Sequence, residues 1–80
     1  MKIGNFTFGP ATVTVPAGAV VAWVNEDDTP HTIVAVDGSF RSRPLDTGEQ
    51  AAFTFTKPGA YAYFCSIHPM MTGKVVVQGP

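Results

Sequence analysis

The residue types able to do metal chemistry gather in one stretch, Cys65-Ser66-Ile67-His68-Pro69-Met70-Met71. It contains the only cysteine, one of the two histidines and two of the three methionines. A thiolate, an imidazole and a thioether this close together form the soft donor set that copper prefers. The spacing Cys-x-x-His-x-x-Met suits a short loop folded back over one ion. Cys65 would end a strand, His68 would sit at the loop tip and Met71 would stand where the next strand begins. Such a loop needs a further ligand from elsewhere, and the other histidine is His31, in Asp28-Thr29-Pro30-His31-Thr32. Taken singly, each residue has a plainer reading. Free cysteine is often a small buried hydrophobe, Met70 and Met71 could fill core space, and either histidine could be structural or solvated. The coincidence of these types at loop spacing is what argues for a site.

Counting donors narrows the chemistry. A two-copper electron-transfer centre needs two bridging cysteines, and a trinuclear oxidase cluster needs many more histidines. Structural zinc sites use four cysteines, three with one histidine, or two of each, and this chain offers none of those sets. One cysteine and two histidines could hold zinc in another form, but zinc carries no redox chemistry. A blue-copper set is two histidines and one cysteine with a weak axial group. If the loop binds copper in that way, His31 must complete the set.

The elements that would position these residues read as strands. Helical periodicity is absent, and Gly and Pro recur at short intervals. Residues 3–8 form the first expected strand, closed by Gly9-Pro10. Residues 12–15 alternate polar and apolar, Pro16-Ala17-Gly18 turns the chain, and residues 19–25 form an apolar central strand with Trp23. A polar loop, Asn25-Glu26-Asp27-Asp28-Thr29-Pro30, leads into a β-branched strand over residues 31–36. Its three acids read as a solvated turn that could also steer a basic partner. Residues 37–48 are irregular, a long connection with one edge strand at most. Residues 49–56 alternate with Ala51, Phe53 and Phe55 on one face, Lys57-Pro58-Gly59 turns, and residues 60–65 and 73–78 supply the last two strands. Seven or eight strands in 80 residues predict an all-β, compact Greek-key β-sandwich.

Eighty residues allow one domain, spanning 1–80, with a small core that a bound metal would help to hold. The net charge of −1 argues against an electrostatic grip on nucleic acid or an anionic membrane surface. One cysteine excludes an internal disulfide. No apolar run approaches the roughly 20 residues of a membrane span. Met1-Lys2-Ile3-Gly4 leads directly into strand-like sequence with no signal peptide, so an exported protein would have lost its leader, or the segment belongs to a longer chain.

The run Tyr61-Ala62-Tyr63-Phe64-Cys65-Ser66-Ile67-His68-Pro69-Met70-Met71-Thr72-Gly73-Lys74-Val75-Val76-Val77 resembles the ligand loop of the cupredoxins. It is most similar to the amicyanins, with plastocyanins and pseudoazurins as relatives. Pro30-His31 before an apolar strand resembles the family's upstream ligand segment, and the likeness extends from about Phe6 to Val77. The resemblance implies a single type 1 copper ion bound by His31, Cys65 and His68, with Met71 rather than Met70 as the axial ligand. It implies single-electron transport and no catalysis of its own. The His68 ring edge, with Pro69 and Met70 around it, would be the electron-exit surface. Redox proteins such as a cytochrome or a dehydrogenase would be donor and acceptor, the location periplasmic and the protein a monomer.

The resemblance also implies a supporting layer. Thr32 and Ser66 stand where relatives carry small polar groups, and their bonds would tie the two ligand segments together. Ile67 stands where amicyanins and pseudoazurins typically carry proline. Its N–H, which proline lacks, would be free to bond the Cys65 sulfur. Gly73 would let the last strand pass close to the metal loop. Two rival functions use the same ligands: a periplasmic copper-handling or resistance protein, and an electron-transfer domain of a larger redox enzyme. A β-sandwich interaction module without metal is the third.

Overall fold

The computed structural model describes residues 1–79. Its strands are β1 (Lys2–Gly4), β2 (Thr7–Gly9), β3 (Thr12–Pro16), β4 (Ala19–Asn25), β5 (Val34–Ala35), β6 (Gln50–Phe55), β7 (Gly59–Phe64) and β8 (Thr72–Gln78). They form two four-stranded sheets, in the orders β2-β1-β4-β6 and β3-β8-β7-β5. The β1–β4 and β3–β8 pairs are parallel and the others antiparallel. The expected all-β sandwich is what forms, with no helix among the described residues.

Alternation decides which side chains go inward. On β4, Val21, Trp23 and Asn25 are buried while Ala22 faces out. On β8, Val75 and Val77 are buried and Lys74 is exposed. Trp23 pairs in register with the small Ala51 of β6, which leaves room for the indole between the sheets. There it packs against Phe40, Phe53, Phe55 and Tyr63. This aromatic layer, together with Ile3, Phe8, Ile33 and Leu45, is the core.

Three expectations change. Residues 3–8 are not one strand but a hairpin, β1 against β2, with Asn5 and Phe6 at its tip. Both tip residues have positive φ, 51° and 58°, as a two-residue turn matching the strand twist requires. Asn tolerates this conformation, whereas Phe does so rarely. Residues 31–36 are mostly not strand: only Val34–Ala35 pairs with β7, and His31 makes an isolated bridge to Leu45. The reason is that Thr32 and Ile33 satisfy their backbone with side chains. The Thr32 amide points at the Cys65 sulfur and the Ile33 amide donates to Ser42 Oγ. The connection over 37–48 is therefore packed structure, with Leu45 buried and Phe40 stacked on Trp23.

Gly73 also has a different role from the one expected. It lies opposite Tyr63 in the β7–β8 register, and a Cβ there would run into the Tyr63 phenol ring. The missing side chain lets Tyr63 lie flat in the core and accept a hydrogen bond from Trp23 Nε1 at 3.2 Å. Gly73→Ala should therefore cost about 1–3 kcal/mol, the usual penalty of overpacking, read as a lowered urea midpoint. A midpoint equal to wild type would overturn this packing account.

Candidate metal centre

The β7–β8 connection is a short loop that bonds back onto itself. Cys65 N donates to Met71 O at 3.1 Å, and Met71 N donates to His68 O at 2.9 Å. Pro69 fixes φ just after His68. These closures put Cys65 and Met71 inside the sandwich and leave His68 half-buried at the rim. Met70 is 96% exposed, so of the two methionines only Met71 is packed in the core beside Cys65.

The second segment is built around Asn25, which is fully buried at the end of β4. Its side-chain amide donates to Thr29 O and Leu45 O at 2.9 and 2.8 Å, and its Oδ1 accepts the Asp27 amide at 2.9 Å. With every donor and acceptor used, the buried amide costs little and fixes the 25–31 loop. His31 is then clamped by reciprocal backbone bonds with Leu45 and is itself 0% exposed.

The two segments converge on the Cys65 sulfur. His31 Nδ1 lies 3.7 Å from Sγ and His68 Nδ1 lies 3.9 Å from it. One donor atom from each of the three residues lies within 4.8 Å of the others. The far nitrogen of His31, Nε2, is 2.9 Å from Asp27 Oδ2. A carboxylate there can accept a hydrogen bond from Nε2–H, and in that tautomer the Nδ1 lone pair is available to a metal. A thiol, two imidazoles turned onto it and a neighbouring buried thioether fit a copper electron-transfer site by donor type.

The sulfur is prepared for the anionic form. Burial opposes charge on it, but the Thr32 amide, the His31 ring, the His68 amide and the Thr32 hydroxyl together outweigh burial. The Cys65 thiol is pulled down from an ordinary 9.0 to about 6. Thr32 N is 3.4 Å and Thr32 Oγ1 3.7 Å from Sγ. Thr32 Oγ1 also accepts the Ser66 amide at 2.7 Å and lies 2.8 Å from Ser66 Oγ. The Ser66 hydroxyl can donate to Thr32, and the Thr32 hydroxyl to the sulfur, in one chain. The expected Ile67 bond does not form: no hydrogen bond joins the Ile67 amide to the sulfur among the described residues. The loop amide that acts on Cys65 is that of His68.

Two residues at the site went unread in the sequence. Asp27, placed there in a solvated acidic turn, points its carboxylate inward. It accepts the Asn5 and Phe6 amides at 3.0 and 2.9 Å as well as facing His31. The Phe6 amide, then the His31 ring, hold its carboxyl below the usual range. Phe6, half-exposed at the hairpin tip, sets its ring edge-on to both imidazoles, with centroids 5.6 Å from His31 and 5.0 Å from His68. An aspartate four residues before a candidate ligand was the one available signal. Nothing local marked Phe6.

A family model described as a cupredoxin-like domain matches residues 1–77. Amicyanin of Paracoccus versutus is 39% identical over 71 residues, covering 82% of this chain and 54% of that protein. The chain thus spans about half the length of this relative. The structure titled "Novel Purple Cupredoxin from Nitrosopumilus maritimus" superposes with a TM-score of 0.83 at 38% identity, covering 88% of this chain and 80% of that one. A Cu-containing nitrite reductase from Thermus scotoductus SA-01 matches with a TM-score of 0.86 at 38% identity, covering 92% of this chain and 20% of that one.

With no metal bound, the thiolate absorption of the folded protein should appear with a midpoint near pH 6, against 9.0 for an ordinary thiol. Between those values the unfolded chain holds a proton that the folded chain has lost, so stability rises as pH rises through this window and falls as pH drops through about 6. Thr32→Val removes one donor to the sulfur and the acceptor of two Ser66 donors. It should raise the midpoint, cost about 1–3 kcal/mol and speed amide exchange across residues 65–71. An unchanged midpoint and unchanged loop exchange would count against the hydroxyl chain.

Proposed function

The chain belongs to the cupredoxin-like family, and on that premise we propose that it carries single electrons on one type 1 copper ion and is not itself an enzyme. The ligands are His31, Cys65 and His68, with Met71 as the weak axial thioether. The observation that carries this reading is the convergence of three donor atoms within 4.8 Å on a thiol that is buried yet poised to ionise. Copper bound there would supply one-electron chemistry between Cu(II) and Cu(I).

The residues of the chain do the rest. Cys65 offers a thiolate already stabilised by amide and hydroxyl donors. His31, locked between Leu45 and Asp27, turns Nδ1 to the sulfur and Nε2 to the carboxylate. The Thr32–Ser66 bonds hold the two ligand segments together without help from an ion, so little rearrangement need accompany a change of charge. His68 is the member that reaches the rim. Around it Phe6, Ile67 and Met70 are 50%, 46% and 96% exposed, with Pro69 among them. This apolar recess is where a redox partner, donor or acceptor, docks. A cytochrome or a dehydrogenase is the kind of partner that fits, and an exported, periplasmic location and a monomeric state fit the same reading. No helix among the described residues is long and apolar enough to cross a membrane.

One observation favours a second reading. The match to one-fifth of a copper nitrite reductase suits an electron-transfer domain within a larger redox enzyme, and the length of the native chain decides between the two. In either case one equivalent of Cu(II) added to the metal-free protein should give an intense thiolate-to-copper visible band. Ascorbate should bleach it, oxidation should restore it, and Cys65→Ser should abolish it. Uptake of Cu(I) or zinc alone would sink the electron carrier and point to copper handling instead. Met70→Lys should leave the band unchanged but slow electron self-exchange, because it sets like charges against each other in the contact. Unaltered exchange would remove Met70 from the docking surface.

A further inference from the structure

We propose that Asp27 is a positioning residue that biases the site toward its oxidised state and ties a cover over the two imidazoles. This rests on the copper reading above. Of the three acids in the 26–28 run, Glu26 and Asp28 are exposed and Asp27 alone is drawn in. Its backbone is anchored first. The Asp27 amide donates to the buried Asn25 side chain, and the Asp27 carbonyl accepts the Thr47 hydroxyl. The carboxylate then has three partners from two distant parts of the chain: the amides of Asn5 and Phe6, and Nε2 of His31.

Two consequences follow from one group. A full negative charge bonded to the remote nitrogen of a metal-ligating imidazole makes that ring a stronger donor, which favours Cu(II) over Cu(I). The same oxygens hold the Asn5–Phe6 turn, in which Phe6 carries a φ of 58° that an aromatic residue adopts at a cost. Two charge-assisted amide bonds offset that cost. The turn in turn sets the Phe6 ring edge-on to His31 and His68. Asp27 therefore links the charge at the buried ligand to the apolar cover at the rim, and no other carboxylate among the described residues bonds either histidine.

Asp27→Asn is the test. The amide matches the carboxylate in shape, but it has one acceptor oxygen in place of two and no charge. In the metal-free wild type, the His31 Nε2 proton should be visible by NMR and slow to exchange, and the Phe6 amide should be protected. In the variant both protections should fall by at least about tenfold. In the copper-loaded protein the ratio of Cu(II) to Cu(I) affinity should fall by about tenfold, a rise in potential of about 59 mV for one electron. Asp27→Glu, which keeps the charge, should recover most of that shift. A wild-type His31 Nε2 proton that exchanges freely overturns the proposal without recourse to any variant. A copper-loaded Asp27→Asn protein with an unchanged potential overturns the bias toward Cu(II). A wild type that takes up no copper sinks the reading on which the proposal rests, and does so visibly, because the metal-free measurements still report the clamp.

Discussion

The site depends on the contact between Thr32 and the Cys65 loop. The sulfur and its two imidazoles come from segments 34 residues apart in sequence, and a thiolate buried without donors would be strongly disfavoured. Thr32 meets both needs at once. Its amide and hydroxyl face the sulfur, and its oxygen accepts the Ser66 amide from the opposite segment. Because the residue that stabilises the charge also ties the segments, the site cannot loosen without also losing its thiolate. That coupling is what preorganisation means here: the geometry is held by hydrogen bonds of the chain rather than imposed by an ion.

The sandwich supports this contact from below. Tyr63 lies two residues before Cys65 on the same chain, so both project to the same face, and both are buried. The Tyr63 ring can lie flat because Gly73 stands opposite, and Trp23 bonds its hydroxyl from the other sheet. The floor of the site is thus a cross-sheet aromatic contact, stiff at the separation where the two sheets meet. The walls come from β4, whose last residue, Asn25, turns an apolar strand into the scaffold of the His31 segment. Asn25 at the strand end is the point where packing becomes hydrogen bonding, and both ends of that transition are fully satisfied.

What could be read from the sequence followed the reach of local information. Cys65, His68 and Met71 were legible because rare donor types stood together at loop spacing, and His31 because it was the only histidine left. Thr32 and Ser66 were legible as neighbours of the candidate ligands. β3 and β6 were legible from their alternation, and β4, β7 and β8 as apolar or aromatic runs between Gly and Pro turns. The 2–9 hairpin was not, since strands of three residues carry too little pattern and its tip places a Phe at positive φ. Asp27 was hidden for a related reason. Its partners are turn amides 21 and 22 residues upstream, and an acidic run looks solvated until the chain that covers it is in place. The Ile67 amide shows the opposite error. Proline's absence left a donor free, but the sulfur draws its backbone amide bond from Thr32 on the other segment instead.

The two histidines divide the work of the site by their surroundings rather than their chemistry. Both present Nδ1 to the same sulfur at nearly equal distances. His31 has its far nitrogen on a carboxylate and no exposed surface, so its ring is fixed in orientation. His68 has no such partner among the described residues and stands half-buried among apolar side chains. The electron carrier proposed above would need one ligand that never changes state and one that a partner can approach. Exchanging these environments would expose the charged anchor to water, where screening weakens it, and would bury the only member of the set that reaches the surface. The asymmetry therefore follows from placing one ligand at the end of a buried strand scaffold and the other at the tip of a short loop.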